Sequence, residues 1–262
     1  MVSTKNITRS YKYFDKAKAV SVGGIPVDLF SDAEYEDLVS LAVYHGEQKI
    51  FFYTNAHLVV LANSEFPLLK DAFRNKADYV MCDGAGIQLG ARLKSKSIPV
   101  KTAYNVWFWG FARFCETKKF KLFFLGARDG VIERAAQNVI THAPGLQIGT
   151  HHGYFIKEKE HRDNADVIQL INEYDPDILL VGFGAPLQEN WIVENKDDLN
   201  ARAIFSCGGA FEYFAGERKV APGWLRKLKL EWLYRMTEEP WRLGKRYLKE
   251  NPMFLYYVFK ND

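Results

Sequence analysis

The chain has 262 residues and a net charge of +3, with 48% hydrophobic and 26% charged residues, values that exclude a disordered or low-complexity protein. No uninterrupted apolar run approaches the ~18–20 residues a transmembrane helix needs, and the first twenty residues carry charges where a secretory signal needs an apolar stretch. The three cysteines, Cys82, Cys115 and Cys207, lack metal-ligand spacing and read as strand-embedded free thiols of a reducing compartment, so a cytoplasmic protein is expected.

Along the chain one pattern recurs: a short apolar run, a polar or glycine-rich turn, then helical periodicity. "KIFFYTNAHLVVLA" gives a strand to Tyr53, a turn at Thr54 and Asn55, and a helix after it. "ADYVMCDGAGIQLGARL" repeats this around Asp83, Gly84 and Gly86, and "FKLFFLGARDGVIERAAQNVI" around Gly126, Arg128 and Asp129. "DILLVGFGAPLQENWIVEN" follows with Gly182, Gly184 and Gln188, and "ARAIFSCGGAFEYFAG" with Gly208 and Gly209. Strands that are continuously apolar and separated by helices indicate a parallel sheet covered on both faces. The expected class is α/β, Rossmann-like, mostly parallel.

In such sheets ligands bind at the carboxyl ends of the strands. Thr54, Asn55, Asp83, Arg128, Asp129 and Gln188 are therefore the polar candidates, and the neighbouring glycines let backbone N–H groups approach phosphates. The bare pattern says nucleotide or sugar-phosphate site. No G-x-G-x-x-G follows the first strand, and neither a G-x-x-x-x-G-K-[ST] loop nor a G-x-S-x-G elbow occurs, which removes support for dinucleotide, P-loop and hydrolase readings. "DPD" at Asp175 to Asp177 imitates a metal-binding D-x-D but precedes its strand, at the edge opposite the expected site, and reads as a helix-to-strand turn. His151 and His152 read as loop residues.

Charge is uneven. Residues 217–262 hold eleven Lys/Arg against six Asp/Glu, a net of +5, which leaves −2 for the rest of the chain. Aromatics are interleaved with these cations in "WLRKLKLEWLYRM" and "KRYLKENPMFLYYVFK". This suits a helix lying on an anionic membrane, and it equally suits a helical pair packed on the sheet. The expected division is a core over residues 1–216 and a helical appendage over 217–262 that docks on the membrane and completes the site.

"TNAHLVV", "CDGAGI", "FFLGARDGV", "HHGYF", "CGGAFEYFAG", G-x-G-x-P-x-Q-E-x-W at Gly182 to Trp191 and E-W-x-Y-R-x-x-x-E-P-x-R at Glu231 to Arg242 occur in the order seen in the WecG/TagA/CpsF glycosyltransferases, family 26. The chain resembles that family over roughly residues 20–250. The resemblance implies inverting, metal-independent and cofactor-free transfer of a hexose from a UDP-sugar, of the glucose or N-acetylmannosamine type, to a lipid-diphosphate-linked saccharide. Such reactions serve bacterial exopolysaccharide, capsule or teichoic acid synthesis on the inner face of the membrane. It implies no nucleic-acid partner and is compatible with a homo-oligomer.

By the resemblance, Asp83 is the general base; its competing reading is a cap for the helix that begins near Gly84. Arg128, Arg235, Arg242 and Arg246 would stabilise the departing diphosphate, and Thr54, Asn55 and Gln188 would hold sugar hydroxyls. Gln188 could instead bond the loop backbone. Where the family usually shows an arginine followed by T-G-x-D, this chain has Lys101, Ala103 and Asn105. Val220 replaces the arginine of R-A-P, with Arg218 or Lys219 available nearby. A non-catalytic nucleotide-sugar-binding scaffold is the alternative, which a carboxylate at the strand end does not favour.

Overall fold

The computed structural model of the chain describes residues 18–99, 103–228 and 230–261. It opens with a hairpin, β1 (Ala19–Val22) and β2 (Ile25–Asp28). Helix α1 (Asp32–His45) follows, started by a capping box between Ser31 and Glu34 and stopped by left-handed Gly46. Then come β3 (Lys49–Thr54), α2 (Ala56–Ser64), α3 (Pro67–Asp71), β4 (Tyr79–Cys82), α4 (Ala85–Leu93) and α5 (Tyr104–Lys118). The second half adds β5 (Lys121–Gly126), α6 (Val131–His142), β6 (Gln147–His151), α7 (Arg162–Tyr174), β7 (Ile178–Gly182), α8 (Leu187–Asn195), β8 (Ala203–Ser206) and α9 (Ala210–Phe214). Three helices close the chain: α10 (Gly223–Lys227), α11 (Glu231–Glu238) and α12 (Pro240–Lys260).

The sheet has the order β4-β3-β8-β7-β5-β6, and every pairing in it is parallel. This is the Rossmann-like α/β arrangement expected. Successive strand residues point to opposite faces, and here both faces are dry. Phe52, Val80, Leu125, Leu179 and Ile204 meet the core that α2, α4 and α8 cover. Phe51, Met81, Phe124, Leu180 and Phe205 meet the core under α1, α5 and α9. Two buried faces explain why the strands read as unbroken apolar runs. Each fully buried Phe contributes about 1.5–3 kcal/mol relative to exposure.

The hairpin and the edge strand β6 went unread in the sequence. β6 is half-buried along its length and carries Gly149 in its middle, so it lacks the apolar signature of the inner strands. The C-terminal helices are not a loose tail. Phe254 and Val258 of α12 are buried in the same core as Val22 and Ile87, and Leu243 is fully buried. Asn261 donates from Nδ2 to Asn63 Oδ1 at 2.8 Å, tying the end of α12 to α2.

Candidate active site

A cleft of about 1330 Å³ runs along the carboxyl edge of the sheet. Its floor is made by the turns after β3, β4, β7 and β8, and its opposite wall by α11 and α12. The N-terminal ends of parallel strands cannot serve this way, because their turns lie at the other edge. Asp177 shows this directly: its carboxylate accepts from the Lys121 N–H at 2.8 Å, at the start of β5, far along the strand from the cleft.

Asp83 lines the cleft as the first residue after β4 and is half-buried. Its N–H donates to the Thr54 carbonyl at 2.8 Å, which extends the β3–β4 ladder and fixes where the carboxylate starts. The cap position of α4 is Gly84, at φ 97°, and no side chain caps that helix. Asn55, Gly84, Asn105, Gly184, Gly208 and Gly209 share the same cleft. Asn55 also caps α2, its Oδ1 accepting from the Leu58 N–H at 3.1 Å. Gly208 has φ 55°, and a Cβ there would collide with the Tyr53 hydroxyl, so only glycine fits.

From the helical side, Arg235, Arg242 and Arg246 line the cleft. Arg242 pairs through Nε with Glu239, whose carboxyl is held below its ordinary range by that bond, with Arg218 and Arg235 adding to the pull. Arg246 lies 3.9 Å from Glu250, which in turn meets His57 Nδ1 of α2 at 2.8 Å. Burial lowers the His57 pKa. These contacts join the helical wall to the sheet wall.

Four expected site residues stand elsewhere. Thr54 is fully buried and off the cleft wall; the two-residue alternation of β3 sends Tyr53 to the cleft in its place. Gly126 also misses the wall, and a Cβ there would collide with the Gly182 carbonyl and the Phe211 ring. Arg128 points outward and pairs with Glu217 at 3.0 Å, a carboxylate that it shares with Arg134. Gln188 is fully buried on the inward side of α8, and its Oε1 accepts from the N–H groups of Gly184 and Gly208 at 3.3 and 3.0 Å. It bonds the loop backbone, as its alternative reading held. Lys101 lies outside the described residues.

The cleft also holds groups not singled out from the sequence. Tyr53 and Tyr104 line it, both phenols pushed upward by burial, and the Tyr104 hydroxyl donates to the Ser206 carbonyl at 2.9 Å. Lys157 enters from the loop after β6, sits over the rings of Phe155 and Phe183, and is lowered by burial. Its signal was hidden with the unrecognised strand before it. Arg218 lines the cleft whereas Lys219 does not, which selects between the two cations near the altered R-A-P motif.

A doubly wound parallel sheet with a cleft at its carboxyl edge defines the chain as a Rossmann-like α/β protein. The sequence profile described as "Glycosyl transferase WecG/TagA/CpsF family" matches residues 20–262, and the chain belongs to that family. It is 30% identical over 252 residues to N-acetylglucosaminyldiphosphoundecaprenol N-acetyl-beta-D-mannosaminyltransferases of Staphylococcus aureus strains MW2, NCTC 8325 and MRSA252, covering 94% of this chain and 95% of each relative. The protein is a glycosyltransferase. Among the described residues no helix is long and apolar enough to cross a membrane.

Proposed function

We propose that this chain transfers N-acetylmannosamine, or a related hexose such as glucose, from its UDP-sugar to a saccharide carried on a polyprenyl diphosphate. The observation that carries this reading is one cleft with two complementary walls: a carboxylate at a strand end, Asp83, faces a helical wall bearing Arg235, Arg242 and Arg246. The relatives' names supply the donor sugar and the acceptor type. The sugar identity is the finer part of the proposal, because Ala103 and Asn105 depart from the family pattern beside the site.

The chemistry follows from the placement. The acceptor hydroxyl attacks the anomeric carbon from the face opposite the diphosphate, and the Asp83 carboxylate takes its proton as the new glycosidic bond forms. The bond from the anomeric carbon to the diphosphate breaks with its electron pair, inverting the centre. The negative charge that collects on the leaving UDP is met by the three guanidiniums, with Arg218 and Lys157 adding positive potential to the same cleft. Glycine turns at Gly84, Gly184 and Gly208 leave room for sugar and phosphate against the backbone.

The acceptor's lipid fixes where the work is done. Trp224, Leu228, Trp241 and Leu248 are strongly exposed on the closing helices, among Arg226, Lys227, Lys245 and Lys249. In our reading this face, part of a functional unit over residues 217–262, rests on an anionic membrane and brings the cleft to the lipid-linked substrate. A panel of UDP-sugars offered with a synthetic N-acetylglucosaminyl diphosphate lipid tests the whole scheme. Transfer from UDP-N-acetylmannosamine is expected; a wild-type protein that transfers from none of the panel contradicts it.

A further inference from the structure

Beneath the cleft floor lies a carboxylate that the reaction above does not use. Glu189, on α8, is fully buried, and its Oε1 accepts from Gln188 Nε2 at 2.7 Å. The other end of the same amide, Gln188 Oε1, receives the N–H groups of Gly184 and Gly208. Those two glycines belong to the turns after β7 and β8, and both line the cleft. We propose that Glu189 is a positioning residue: its carboxylate sets the orientation of the Gln188 amide, and the amide clamps the Gly184 and Gly208 turns into a fixed cleft floor. The effect on donor binding rests on the reading of the cleft as the UDP-sugar site.

The orientation has a simple physical basis. An amide turned over by 180° would aim its NH2 at two backbone donors and its oxygen at a carboxylate. Each of those meetings is repulsive, and all of them are buried, where an unpaired polar group costs about 1–3 kcal/mol. An acceptor at position 189 excludes the turned form. An apolar residue there withdraws one side of that preference and leaves the buried Gln188 NH2 without the Glu189 acceptor, which loosens the hold on the two glycine N–H groups. Tyr53 limits the same turn from the other side, because its hydroxyl lies against Gly208.

The clamp should also carry a pH signature. Burial pushes Glu189 up to about 7, against the lowering influence of the Gln188 amide, its own backbone N–H and the Ser206 side chain. The titratable groups around it are Tyr53 of β3, Tyr104 of α5 and Cys207 after β8, all pushed upward themselves by burial and by the Glu189 charge, with Asp83 also acting on the two phenols. The carboxyl offers an oxygen to Gln188 in either protonation state, so the clamp persists through the titration. Ionisation adds a negative charge under a floor that is to receive a diphosphate. Donor affinity therefore falls as pH rises through about 7, beyond the change caused by titration of UDP itself.

The test combines two variants, E189L and E189Q, with two readouts: hydrogen exchange at the Gly184 and Gly208 amides of the free protein, and UDP affinity across neutral pH. E189L should speed exchange at both amides and weaken UDP binding by about tenfold or more, the scale of a buried donor left unpaired. E189Q keeps an acceptor oxygen, so it should retain slow exchange and binding while the extra pH dependence disappears. Where E189L yields no folded protein, exchange in E189Q decides the matter, because an acceptor oxygen at position 189 should keep both amides slow. Protected amides in E189L, or unprotected Gly184 and Gly208 amides in E189Q, overturn the proposal. Lost protection in E189L together with no UDP binding by the wild type keeps the clamp and removes the UDP-sugar reading instead.

Discussion

The two walls of the cleft are built on opposite terms. On the sheet side Gln188, Glu189 and Ser206 are fully buried, and hydrogen bonds through Gln188 and Glu189 cross-link neighbouring turns. On the helical side the side chains of Arg242 and Glu239 are 53% and 38% exposed, and their pairing is a local i,i+3 contact. Exposed pairs of that kind contribute only about 0.2–1 kcal/mol. The base candidate, which must hold a fixed geometry, stands on the rigid wall. The cations, which in the proposed scheme meet a charge that arrives with the substrate, stand on the more exposed one. Asp83 and Arg242 thus share a cleft on walls of unequal burial, and variants can separate the two walls.

The largest effect should come from the anchor that joins them. Phe254→Ala removes a nearly fully buried ring between α12 and the core, and thermal or denaturant unfolding should show a loss of about 3–5 kcal/mol. A smaller loss would mean that the helical wall is less firmly tied to the sheet than its packing indicates. Next, Arg235→Ala should lower UDP affinity about tenfold or more, since hydrogen bonds to charged groups contribute about 1.5–3 kcal/mol. Arg128→Ala should change it less than threefold, because Arg128 is occupied by Glu217 outside the cleft; equal effects of the two variants would erase the distinction between them.

On the scale of a single exposed side chain, Leu248→Ser should weaken sedimentation with anionic vesicles about tenfold, the low end of about 1.5–3 kcal/mol for a side chain taken out of an apolar medium. Transfer to a water-soluble acceptor analogue should be unchanged in that variant. The least effect is expected from His57. Its pKa is lowered in the fold, so its neutral form is favoured there. The stability it contributes is fully present above its ordinary pKa near ~6.5 and is lost as pH falls from there through the lowered pKa of the folded state. His57→Gln should flatten that part of the stability profile.

Much of this was legible in the sequence. Continuous apolar runs marked the five strands that are buried on both faces, and the turns after β4, β7 and β8 were rightly placed at one edge. The failures have physical causes. β6 is an edge strand with half-wet faces and a central glycine, so neither alternation nor a continuous run reports it. Thr54 and Gln188 adjoin cleft-lining residues in the sequence, and only the alternation of β3 and the inward turn of α8 decide that they are buried. Arg128 follows the right strand, yet Glu217, 89 residues away in sequence, holds it outside. No local pattern contains that partner.

In the proposed scheme Asp83 serves as the base for sugar transfer within this two-walled cleft. Single-turnover transfer from UDP-N-acetylmannosamine to a lipid-diphosphate N-acetylglucosamine acceptor, measured for wild type and Asp83→Asn at saturating donor, tests it most directly. The substitution should leave folding and UDP affinity in place and slow transfer by about 10²–10⁴-fold. Transfer by Asp83→Asn at close to the wild-type rate contradicts it.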